Sequence, residues 1–83
     1  MTFPQPKSHE FLTVVVYQNP SDYPDKFVAR AHYMNYKTKE YKVSRQAMIS
    51  ETYRPIEREL EDMGLVKCSR HPDDDPAIME NWV

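Results

Sequence analysis

The chain has 83 residues, with seven prolines, one glycine and one cysteine. That length fits one small domain whose core is thin, because a short chain buries only about 60% of the surface its unfolded form exposes, and a lone cysteine excludes an internal disulfide or a Cys-rich zinc module. The net charge of −2 is too small to imply a polyanionic or membrane partner by itself, and no run approaches the roughly 20 apolar residues of a membrane span.

Residues 1–10, with Pro4 and Pro6 among polar neighbours, read as a flexible lead-in to a single domain over residues 11–83. They hold no apolar stretch of the kind a signal peptide needs, so the expected location is the cytoplasm. Phe11 to Tyr17 is a near-continuous β-branched and aromatic run, which predicts a central strand covered on both faces. Asn19 to Asp25 carries Pro20 and Pro24 among Asn and Asp, and predicts a turn. Lys26 to Met34 alternates in period two, with Phe27, Ala29, Ala31 and Tyr33 on one face and Val28, Arg30, His32 and Met34 on the other. Asn35 to Lys37 turns the chain into a third strand, Thr38 to Val43.

The period then changes. Ile49, Tyr53, Ile56, Leu60 and Met63 are spaced as one stripe of a helix, predicted over about Ser50 to Met63 with Ser50 as N-cap and Gly64 as the residue that ends it. Pro55 either bends this helix or marks its first position. Leu65 to Cys68 reads as a short strand, Ser69 to Pro76 as a loop, and Ala77 to Trp82 as a final strand. The expected fold is α+β: a small, mostly antiparallel sheet, in the order β-β-β-α-β-β, packed on one helix.

Two stretches, Tyr17 to Arg30 and the tail formed by Gly64 to Val66 with Arg70 to Val83, resemble a family of short proteins scattered through bacteria and their phages. The resemblance covers roughly half of the chain. It implies a free-standing α+β domain of bacterial or phage type and no particular activity.

Candidate chemistry is sparse. Asp73, Asp74 and Asp75 offer carboxylates to a hard cation, but the flanking prolines and the lack of EF-hand spacing make a structural turn the stronger reading, and no metal site is expected. Glu80 shares a strand face with Ile78 and Trp82. A carboxylate beside apolar surface needs a cationic or hydrogen-bonding partner, for which Arg30 and Arg70 are available; it is either a general acid or base in a cleft or a structural ion pair. His9, His32 and His71 lack the spacing of a zinc site. Cys68, on an apolar strand, reads as a buried thiol. No phosphate-binding glycine loop, nucleophile elbow or metalloprotease signature occurs, so no catalytic residue and no cofactor are expected.

Charge is uneven: residues 1–25 sum to −2, residues 26–45 to +5 and residues 46–83 to −5. The basic middle interleaves Tyr33, Tyr36 and Tyr41 with lysine and arginine. The expectation is a small non-enzymatic binding or accessory protein that acts through a protein partner, as an inhibitor or modulator of a host enzyme. Its contact surface is placed on Tyr36, Lys37, Lys39, Lys42 and Arg45, with Asp73, Asp74 and Asp75 as a second patch. The alternative is single-stranded nucleic acid, whose bases stack on aromatic rings while cations track its phosphates. A thin core and an exposed strand edge leave a homodimer open as well, whereas a membrane partner is not expected.

Overall fold

Residues 3–69 and 76–83 are described by the computed structural model. Five strands and one helix follow in the order β1 (Glu10–Gln18), β2 (Phe27–Asn35), β3 (Tyr41–Ser50), α1 (Arg54–Asp62), β4 (Lys67–Ser69) and β5 (Ile78–Trp82). The strands form one antiparallel sheet ordered β3-β2-β1-β5-β4. An α+β chain with a small antiparallel sheet and one helix is what the sequence pattern leads one to expect.

This strand order decides where the helix lies. β3 and β4 are the two edges, separated by four interstrand gaps of about 4.8 Å, or about 19 Å in all. The nine residues of α1 span about 13 Å, so the helix with its short connections has just the reach to carry the chain across the sheet. It does so over one face. There Ile56 and Leu60, four apart on the helix, join Val14, Val16, Ala29, Ala31, Tyr33, Met48 and Trp82 in the buried cluster. The segment before β1 adds Phe3 to the same cluster, and the Tyr33 hydroxyl donates to the Pro4 carbonyl at 2.6 Å. Phe3, within the segment read as a lead-in, thus shares in the core.

Two local features differ from expectation. β3 runs seven residues beyond Val43 because a bulge interrupts its alternation. Arg30 pairs with Ala47 and His32 with Val43, so Ser44, Arg45 and Gln46 together face Ala31, and the Gln46 amide turns back to the Ser44 hydroxyl at 3.2 Å. Ile49 therefore belongs to a strand and is 45% exposed. The helix starts at Arg54, with Pro55 in its first turn, where a missing N–H costs nothing. Ser50 caps no helix; its hydroxyl accepts from the Thr52 amide in the turn that ends β3.

The helix terminates as the single glycine dictates. Gly64 has φ +80°, its amide donates to the Glu61 carbonyl at 2.9 Å, and the Leu65 amide donates to the Leu60 carbonyl at 3.2 Å. This is a Schellman closure, completed by the packing of Leu65 on the core. A Cβ at Gly64 meets nothing within 4 Å, so only the backbone conformation resists substitution. Gly64→Ala is expected to lower stability by about 1 kcal/mol and Gly64→Asn by less, measured as shifts in the urea midpoint.

Candidate interaction surface

Among the described residues Glu80 is the one buried acid, 7% exposed. It lies on the helix-covered face, opposite Val16, whereas Arg30 points to the other side of the sheet. Arg30 instead donates to Asp22 at 2.8 Å, and Arg70 falls outside the described residues. The partners of Glu80 are Tyr53, whose hydroxyl donates to Oε1, and Lys67, whose Nζ stands 3.7 Å from Oε2. Lys67 also binds Glu57 Oε2 at 3.1 Å and lies 5.4 and 5.6 Å from the ring centres of Tyr53 and Trp82. Glu57 Oε1 accepts from Arg54 at 2.9 Å. Both oxygens of each carboxylate face partners inside the chain, which makes the group a strut joining β4 and β5 to the start of α1.

The strut has a pH signature. Burial, and then the bond to Glu80, push the Tyr53 hydroxyl up to about 12. Lys67 is raised too, by its bonds to Tyr53 and Glu57. Both groups hold their protons more tightly in the folded chain, so their stabilisation is present in full below about pH 10; the Tyr53 share is lost as pH rises toward 12, and the Lys67 share only at still higher pH.

Among the described residues no helix lies over the other face of the sheet. Register places its side chains in rows across β1, β2 and β3: Phe11, Met34 and Tyr41 at one end, then Thr13, His32 and Val43. Phe11 is 61%, Met34 43% and Tyr41 56% exposed. Behind this row is an open hollow of about 540 Å³, floored by Val15, His32 and Asn81 and bordered by Phe11, Tyr41 and Val83. At the far end the loop between β1 and β2 closes over the sheet: Asp22 holds Arg30, and Pro20 and Val28 are buried. The expected cover on both faces of β1 is therefore present on one side only, although Val15 is still just 9% exposed.

His32 joins this surface to the edge strand through a hydrogen bond between its Nδ1 and the Tyr41 hydroxyl. Its Nε2 is buried without a partner. Burial, reinforced by the charge of Arg30, lowers the imidazole below its usual range, so the ring is uncharged at neutral pH.

The β2–β3 turn stands at the edge of the Phe11 row. The Asn35 side chain accepts from the amides of Lys37 and Thr38 at 2.9 and 3.0 Å, the Lys39 amide donates to the Asn35 carbonyl at 2.7 Å, and Lys39 takes φ 65°. Tyr36 packs against the rings of His9 and Phe11, with centres 5.6 and 5.5 Å away. Tyr36, Lys37 and Lys39 are thus brought together on a tied hairpin, and among the described residues neither lysine makes an ion pair.

The remaining sequence candidates separate. Arg45 lies in the β3 bulge, exposed. Lys42 is on the helix side, bound to Glu10 at 3.2 Å and set over the Tyr33 ring. Asp73, Asp74, Asp75 and His71 fall outside the described residues. Cys68, expected to be buried, is exposed, because β4 is a three-residue edge strand and Cys68 points to its uncovered side, opposite Asn81. Phe11 and Met34 were missed as surface residues; the period-two alternation through Met34 held the signal for one of them.

In comparisons with protein families, curated proteins and solved structures, no family model, no curated protein and no solved structure matches the chain. Among the described residues no helix is long and apolar enough to cross a membrane.

Replacing Tyr53 by Phe leaves Glu80 short of one donor. The variant is expected to lose about 1–2 kcal/mol at pH 7, and to show a shallower fall in stability between pH 10 and 11 than the parent chain. Urea titrations at pH 7, 9, 10 and 11 check both outcomes.

Proposed function

We propose that the chain is a small non-catalytic binding module that acts through a protein partner, with the helix-free face of the sheet as its contact surface. The observation that supports this reading is the row of Phe11, Met34 and Tyr41, three large side chains each close to half exposed or more on adjacent strands. Contiguous apolar surface rimmed by polar groups marks interfaces, and methionine between two aromatic rings suits a protein surface because it adapts its shape to what it meets. The hairpin with Tyr36, Lys37 and Lys39 borders the row and gives its approach an electrostatic direction. The ion-paired strut around Glu80 faces the other way and has its acceptors filled, which favours binding over catalysis. Inhibition or redirection of a host enzyme is one form this activity takes in the reading.

One observation favours a second reading. Phe11 and Tyr41 project from an open sheet about two strand spacings apart, roughly 10 Å, beside Lys37 and Lys39. Aromatic rings on an open sheet with cations at the rim also suit unpaired bases.

A tagged pull-down from host lysate, run with and without nuclease, separates the two. The expected result is a protein that survives nuclease, is lost about tenfold or more with Phe11→Glu, and is only weakened by Lys37→Glu with Lys39→Glu. Recovery that collapses with nuclease, or that falls steeply with salt, moves the surface to nucleic acid. A captured protein indifferent to Phe11→Glu overturns the assignment of this face.

A further inference from the structure

We infer that the partner seated on the helix-free face is a second copy of this chain, packed sheet on sheet about a twofold axis. This rests on the reading of that face as a protein interface and adds the identity of its occupant.

Three features argue for it. The first is charge on the floor of the face. A twofold contact sets each patch against itself, so any net charge there repels its own image. At the centre of the face Arg30 is paired with Asp22 at 2.8 Å, and the His32 imidazole is held uncharged by burial. The second is charge at the ends. The end with the β1–β2 loop carries Asp22, Asp25 and Glu51 against Arg30 and Lys26, which pair with Asp22 and Glu51 and leave one acid in excess, whereas the β2–β3 hairpin carries Lys37 and Lys39 against Glu40 and so one cation in excess. Packing with the strands of the two copies antiparallel brings the lysines of one over the acids of the other, at both ends at once. The third is area. With Phe11 61%, Tyr41 56%, Val83 54%, Ile49 45%, Met34 43% and Val43 43% exposed, these six side chains offer on the order of 600 Å². A standard interface takes about 800 Å² from each partner, so these side chains supply most of one.

The edges are poorer sites for self-association. β4 has three residues, and the bulge of Ser44, Arg45 and Gln46 breaks β3 in the middle, which is how exposed edges are protected from pairing. Sheets packed face to face align within about 30°, a geometry that places the Phe11 and Tyr41 rim of each copy against the hollow of the other.

Sedimentation equilibrium across a micromolar-to-millimolar series is the test. The expected result is a weight-average mass that rises to twice that of the chain. Phe11→Glu and Tyr41→Glu, both at positions more than half exposed, should each weaken the dimer about 100-fold with circular dichroism and melting temperature preserved. Lys37→Glu with Lys39→Glu should weaken it about tenfold. Met34→Lys serves as the third face variant if either of the first two fails to fold. A dimer untouched by the face variants overturns the inference in favour of an edge. A monomer throughout overturns it too; if a lysate partner is still lost with Phe11→Glu, the face remains an interface for another protein, and if none is, both readings fall.

Discussion

One helix has to cover a sheet that has two apolar faces. The nine residues of α1 supply a cylinder about 10 Å wide against a sheet about 19 Å across, so even the covered face needs help. Phe3 and Trp82 complete that cluster, and the Tyr33 hydroxyl pins the chain at Pro4 over it. Among the described residues the second face has the β1–β2 loop, which shelters one end. Everything distinctive about the surface follows from this shortage: valines packed at the centre of the open side, large side chains left exposed at its far end, and a hollow between them.

The same shortage explains the strut. β4 contributes three residues and sits farthest from β3, where the helix begins its crossing. Little apolar surface is available to hold it. Lys67 makes up for this by binding Glu57 of the helix while facing Glu80 of β5, and Tyr53 closes the group from the other side. Breaking such a partly buried set by removing one member costs more than the intact set contributes, since the remaining charge loses its partner without regaining water. Its role is to fix where β4 and α1 meet, which is consistent with saturation of its acceptors by the chain's own donors.

Element type was readable in the residues because periodicity reports burial. Alternation from Phe27 to Met34 and the four-residue spacing of Ile56 and Leu60 each reflect one covered side, and Gly64 marked its helix end through a conformation that other residues adopt at a cost. The errors have equally physical origins. Ile49 and Tyr53 continue the helical spacing by coincidence, because a strand that ends close to a helix start leaves apolar residues four apart. The bulge at Ser44 to Gln46 shifts the register of β3 by two residues and hides its second half. Cys68 reads as buried from its neighbours in sequence, but whether a strand position is covered depends on where in the sheet the strand lies. Nothing local encodes that. For the surface, Tyr36, Lys37 and Lys39 were legible as a cluster because a hairpin keeps sequence neighbours together, while Phe11 meets Met34 and Tyr41 only through the pairing of three strands.

Where such a chain can associate is constrained by what its edges forbid. A sheet with one free ten-residue edge strand invites pairing along that edge, which would leave the apolar face as exposed as before. The β3 bulge disrupts the regular hydrogen-bonding row there, and Arg45 stands exposed within it, so the edge is unfavourable while the face carries no net charge at its centre. Association through the face removes apolar area from water, which is the larger driving force, and leaves both edges as they are. The opposite charges at the two ends of the sheet then act on orientation. They disfavour a parallel arrangement, in which Lys37 and Lys39 of one copy meet those of the other, and favour the antiparallel one in the proposed dimer. In that arrangement burial supplies the attraction and the hairpin lysines select among its orientations, a division of labour that follows from how each force depends on distance and direction.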